Sequence, residues 1–171
     1  MPIIIVLVII GIIAILFEKA CVKNVPAYMK VSDIRKCIKL LGRSYSKIDC
    51  DIFFINNESD FNKYAKKKVD GFYREYMNGS LHGLCCYVSN RTTNIFVFTN
   101  NTISSYGLNR CFYQKSIIRV LYHELRHAYQ YKHNLKIDNL ELDANVFADR
   151  IMHANDAKIN HIFKNYKLYK S

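Results

Sequence analysis

The sequence predicts an α+β fold: an N-terminal transmembrane helix, then a small mixed sheet, then a helical C-terminal part. Three observations predict it. Residues 2–17 form an uncharged apolar run, residues 48–99 hold several segments of strand composition, and helical periodicity takes over from about Cys111. With 171 residues, half of them apolar, and only two Pro and six Gly, disordered and fibrous classes are excluded. The expected organisation is an anchor over 1–24 and one domain over 25–171.

The apolar run (PIIIVLVIIGIIAILF) would span about 24 Å as a helix, slightly less than a hydrocarbon core of about 30 Å. Ala20, Cys21 and Val22 lengthen it, with Glu18 and Lys19 snorkelling at the boundary. It has no polar stripe of the kind a buried core helix shows, no Lys or Arg before it, and no small-x-small cleavage site after it. A retained, single-pass membrane anchor is expected. Basic residues follow the run and none precedes it, which keeps the domain on the cytoplasmic side. Four Asn-x-Ser/Thr sequons, at Asn57, Asn78, Asn90 and Asn100, carry little weight against that orientation in a chain this rich in Asn.

Beyond the anchor, Ser32 followed by DIRKCIKLLGR reads as an N-cap and a helix with Ile34, Cys37, Ile38 and Leu41 on one face. Residues 48–56 (IDCDIFFIN) read as a strand, and 59–68 (SDFNKYAKKK) as a short helix with solvated lysines. Residues 72–77, 84–88 and 94–99 (NIFVFT) are three more strand candidates, with a turn at Asn78-Gly79-Ser80. Six cysteines include the adjacent pair Cys85-Cys86, whose side chains would point to opposite faces of a strand. The cysteines are expected to be buried small hydrophobes rather than staples.

The chemistry is concentrated in one helix. Residues 116–131 (SIIRVLYHELRHAYQY) repeat apolar positions at helical spacing and contain His123-Glu124-Leu125-Arg126-His127, an HExxH motif. Residues four apart share a helix face, so His123 and His127 aim at one point. Two neutral imidazole nitrogens are half of a tetrahedral zinc site. Glu124, about 100° further round, falls beside the metal rather than on it, where it can take a proton from zinc-bound water. Burying these groups without a metal would leave unpaired polar atoms at about 1–3 kcal/mol each.

Three residues could supply the third ligand. Glu141 opens a second helical segment (ELDANVFAD), where Ala144 and Ala148 share its face and allow close approach to the first helix. Asn145 is then positioned to support a ligand from outside the coordination sphere. His133 follows His127 at the spacing of HExxHxxGxxH, but Gln130 stands where that pattern has its helix-breaking Gly. Asp143 lies nearer Arg150, with which it would pair at the surface. Glu141 is preferred over His133 and Asp143.

HELRHAYQ followed by ELDANVFAD resembles the gluzincin metallopeptidases, most closely the small, minimal zincins with a second helix of the form ExxA[DN]xFA. M48-like membrane peptidases and ImmA/IrrE-like peptidases carry such an element. The resemblance spans roughly residues 83–152. It implies a minimal zincin-like fold, Zn2+ held by His123, His127 and Glu141, Glu124 as general base, and the strand at 94–99 bordering the cleft. The expected function is a membrane-anchored zinc-dependent endopeptidase that hydrolyses peptide bonds with a zinc-activated water. A polypeptide would be the substrate, added to the exposed edge of the NIFVFT strand. Tyr129, Tyr131, His153 and His161 are available as oxyanion donors, and spacing selects none.

A net charge of +11 (25 basic, 14 acidic) suits an anionic lipid surface beside the anchor. It also fits the alternative of a membrane-tethered basic binding or regulatory module with a structural or inactive zinc site. Nucleic acid is not an expected partner, since no recognised module is present.

Overall fold

The computed structural model describes residues 20–88, 91–105 and 113–164. Four strands form one sheet: β1 (Ala20–Lys23), β2 (Cys50–Ile55), β3 (Gly83–Cys86) and β4 (Thr93–Phe98), in the order β1-β2-β4-β3. β1, β2 and β4 are parallel, and β3 runs antiparallel along β4 at the edge. Helices α1 (Val31–Leu40) and α2 (Arg43–Ser46) connect β1 to β2. The link from β2 to β3 is helical from Glu58 to Met77: α3 (Glu58–Asp60), a π turn (Phe61–Ala65), α4 (Lys66–Val69), a 3-10 turn (Asp70–Phe72) and α5 (Tyr73–Met77). After β4 come α6 (Thr99–Ser105), α7 (Tyr113–Lys132), α8 (Leu140–Ala154) and α9 (Asp156–Phe163).

The α+β, mixed-sheet part of the expected fold matches this architecture; the transmembrane part does not. Among the described residues no helix is long and apolar enough to cross a membrane. Residues 20–23, the end of the expected 1–24 anchor, are a sheet strand: Ala20 pairs with Cys50 and Lys23 with Phe53. Asn24 ends the strand in a left-handed conformation (φ 56°), with its Nδ2 donating to the Phe54 carbonyl at 2.7 Å. Backbone groups committed to β2 cannot continue a membrane helix, so residues 20–23 belong to the sheet. The rest of the expected anchor, residues 1–19, lies outside the described residues.

Two further expectations change. Residues 72–77 are helical, not a strand: Tyr73–Met77 closes the α-helical link, with Tyr76 buried. The turn that follows is as expected, with Gly79 at φ 80° and Asn78 Oδ1 accepting from the Ser80 amide at 3.0 Å. The NIFVFT strand is interior, paired with β2 on one side and β3 on the other, so the edge near the second half of the chain belongs to β3. The first helix begins at Val31 with Lys30 as its N-cap, two residues ahead of Ser32, and buries Ile34, Cys37 and Ile38 as read.

Period-two alternation fills both faces of the sheet. Cys50, Ile52, Phe54, Ile95 and Val97 face α1, α7 and α9. Phe53, Ile55, Phe96 and Phe98 face Phe61, Ala65, Val69 and Tyr76 of the β2–β3 link. Cys85 and Cys86 fall on opposite faces of β3, as their adjacency requires. The five described cysteines are free thiols: Cys37 and Cys50 are buried, Cys85 and Cys86 half-buried, and Cys21 exposed. Burial pushes the Cys37 and Cys50 thiols up to about 12.

Candidate metal centre

Helix α7 is 20 residues long and buries Ile117, Ile118, Leu121, Leu125 and Ala128 against the sheet. His123 and His127, one turn apart on its outer stripe, have their Nε2 atoms 3.0 Å from each other. Helix α8 crosses this stripe, with Asn139 as its N-cap: Asn139 Oδ1 accepts from the Leu142 amide at 2.9 Å. Buried Ala144 and Ala148 let α8 lie close to α7, as their small size suggested. Glu141, in the first turn of α8, brings its carboxylate within 3.3 Å of His123 Nε2 and 3.1 Å of His127 Nε2. Ligand-capable atoms of these three residues all lie within 4.8 Å of one another.

The donor set suits a divalent cation. Two imidazole nitrogens and a carboxylate oxygen are zinc-type ligands. In the neutral form their lone pairs converge on a common point, which a cation there would relieve. Burial and the neighbouring His127 both hold the His123 imidazole below its ordinary range, favouring the neutral, ligating form. Asn145 lies beside His123, and its Oδ1 accepts from Arg119 Nη2 at 3.4 Å.

Glu124 is buried beside the cluster, its Oε1 4.0 Å from His123 Nε2. Burial, with the Glu141 carboxylate adding to it, pushes its carboxyl up to about 8. Gly83 of β3 makes the space it occupies. A Cβ at that position would fall 2.7 Å from Val120 Cγ1 and 2.8 Å from Glu124 Cγ, with Glu124 Oε1 closer still.

The rival ligands go elsewhere. The helix runs on through Gln130 to Lys132, and His133 packs its ring 4.3 Å from Tyr129, on the side away from the cluster. Asp143 pairs with Arg126, at 2.6 Å and 3.3 Å, rather than with Arg150 as expected. Arg126 in turn donates to the Tyr45 hydroxyl at 3.0 Å and lies over the Phe147 ring. The Arg126 guanidinium holds the Asp143 carboxyl below the usual carboxylate range. Among the four oxyanion candidates, Tyr131 is stacked on the His127 ring at 6.2 Å and on Tyr87 at 5.7 Å. Tyr129 packs against Tyr45 instead, and His153 and His161 are exposed at the far ends of α8 and α9.

Two contributors were not foreseen. Gln130, read only as a residue that lets the helix continue, bonds His127 Nδ1 through Oε1 at 2.8 Å. The signal was present: it lies three residues after His127, on the same helix face. Gly83 had no signal, since its role depends on how closely β3 approaches α7. No family model matches the chain, and no curated protein or solved structure matches it, so the site stands on its own geometry.

Proposed function

We propose that this protein is a zinc-dependent endopeptidase of the gluzincin type, with His123, His127 and Glu141 as metal ligands and Glu124 as general base. The observation that carries the reading is the convergence of two imidazole Nε2 atoms and one carboxylate, from two helices, beside a second, buried carboxylate. The order of these residues in HELRHAYQ and ELDANVFAD, similar to that of gluzincins, supports it. Zinc bound there would supply Lewis acidity toward a peptide carbonyl and acidify a water.

The chain's own side chains do the rest. Glu124 accepts a proton from the attacking water at its carboxylate and delivers it to the leaving amine nitrogen. Its burial keeps that carboxylate more basic than an exposed one. Glu141, with 73% of its side chain exposed, keeps the cluster open to solvent and to an extended polypeptide. The outer edge of β3, unpaired among the described residues, reaches the site at Gly83 and offers backbone groups to which such a polypeptide could add. A buried general base has no use in a purely structural zinc site, which favours hydrolysis over a basic binding module.

The full chain should retain one zinc after dialysis and cleave an unfolded polypeptide. Glu124→Gln should keep the zinc and lose activity by about 10²–10⁴-fold. A chain that takes up no zinc, or a Glu124→Gln variant with undiminished turnover, would overturn the proposal.

A further inference from the structure

We infer that Gln130 is a positioning residue: its one buried amide sets the tautomer of His127 and ties the turn that carries Glu141 to α7. This rests on the proposal that His127 and Glu141 hold a metal. The side chain is 1% exposed, so its polar atoms must be satisfied within the protein. Its Nε2 lies 2.7 Å from Asp143 Oδ2 and 3.1 Å from the Leu140 carbonyl oxygen. Both are acceptors: one is a backbone carbonyl, and the Asp143 carboxylate already accepts from Arg126 at 2.6 Å and 3.3 Å. An amide turned the other way would set its oxygen against those two oxygens, at 2.7 Å and 3.1 Å, with no hydrogen between them.

The amide oxygen therefore faces His127, whose Nδ1 lies 2.8 Å away. An oxygen there requires the imidazole hydrogen on Nδ1. The neutral ring is then left with its lone pair on Nε2, the atom 3.1 Å from Glu141 Oε1. The same amide reaches Leu140 and Asp143, the residues one before and two after Glu141. A chain of contacts from Tyr45 through Arg126, Asp143 and Gln130 thus ends on His127, and it joins α7 to the first turn of α8.

Long-range 1H–15N correlation spectra of the metal-free full chain at pH 8, where an ordinary imidazole is neutral, report the tautomer directly. His127 is expected with hydrogen on Nδ1. Gln130→Leu should relax it to a mixture and weaken zinc binding about 10–100-fold. Gln130→Met, close to Gln in volume but without the amide, should relax the tautomer as Gln130→Leu does, which a purely space-filling role would not produce. Hydrogen on Nε2 of His127 in the wild-type protein overturns the inference, and that measurement needs no variant to fold. So does a folded Gln130→Leu variant with the wild-type zinc Kd. An Nδ1–H ring in a protein that binds no zinc would leave Gln130 as the determinant of the ring and remove the metal proposal instead.

Discussion

On one face of the sheet, Phe53, Phe96 and Phe98 pack against Phe61 and Tyr76, with Phe61 and Tyr76 stacked at 4.4 Å. On the other face, aliphatic Ile52, Ile95 and Val97 lie under α7, and behind that layer α7 carries buried Glu124, His127 and Gln130. The strands supply the same alternation to both sides. What differs is the covering layer: short irregular turns over the aromatic face, and the 20-residue α7 flanked by α1 and α9 over the aliphatic one. A site that must hold three donors within a few ångströms needs the rigid element, because a helix fixes the i, i+4 relation of its side chains. The aromatic face bears no such demand and can spend all its area on ring contacts.

That division of labour is open to test. Phe61→Ala, at a fully buried position, should cost about 3–5 kcal/mol in denaturant unfolding. Zinc affinity of the folded fraction should be unchanged. A parallel loss of zinc binding would show that the two faces are coupled through the sheet.

Gly83→Ala acts where β3 meets the helix. The added methyl overlaps Val120 and Glu124 and should cost about 1–3 kcal/mol by overpacking. Because Glu124 must move and His123, His127 and Glu141 need not, peptide hydrolysis should fall with zinc retained. Stability loss without any change in specific activity would mean that β3 shifts and Glu124 stays.

The legible parts of this protein are those whose pattern is local. Amphipathic α7 and α8 and the apolar runs of β2 and β4 announce themselves, and the shared face of His123 and His127 follows from helix spacing, whereas Glu141 could only be preferred over His133 and Asp143. β1 does not: the four residues ACVK have no alternation of their own, and they become a strand by pairing with a segment thirty residues on. Tyr73–Met77 misleads because its aromatic residues suit a strand, whereas burial of Tyr76 against Phe61 and Phe98 settles it as a helix. Strand order is equally non-local, so the short GLCC segment rather than NIFVFT takes the edge. Gln130 shares the ligand face by spacing, but only the approach of Leu140 and Asp143 shows which way its amide points.

The smallest expected effect concerns β1 itself. Lys23 Nζ donates to Asp51 Oδ2 across the β1–β2 pair at 2.8 Å and lies 4.9 Å from the Phe53 ring centroid. The hydrogen bond to Asp51 raises the Lys23 ammonium above its ordinary 10.5. A cation raised on folding contributes stability that is full below its unfolded value and fades as pH climbs through the folded one. Asp51→Asn should therefore cost about 0.2–1 kcal/mol at neutral pH. With 40% of the Lys23 side chain exposed, solvent screening holds the figure toward the lower end, and added salt should shrink it further. The gap between variant and wild type should close as pH rises beyond the lysine range. A gap that persisted there, or that ignored salt, would assign the loss to packing of Asp51 rather than to its charge. β1 would then be held by its backbone pairing, by Asn24 and by the burial of Ala20 and Val22.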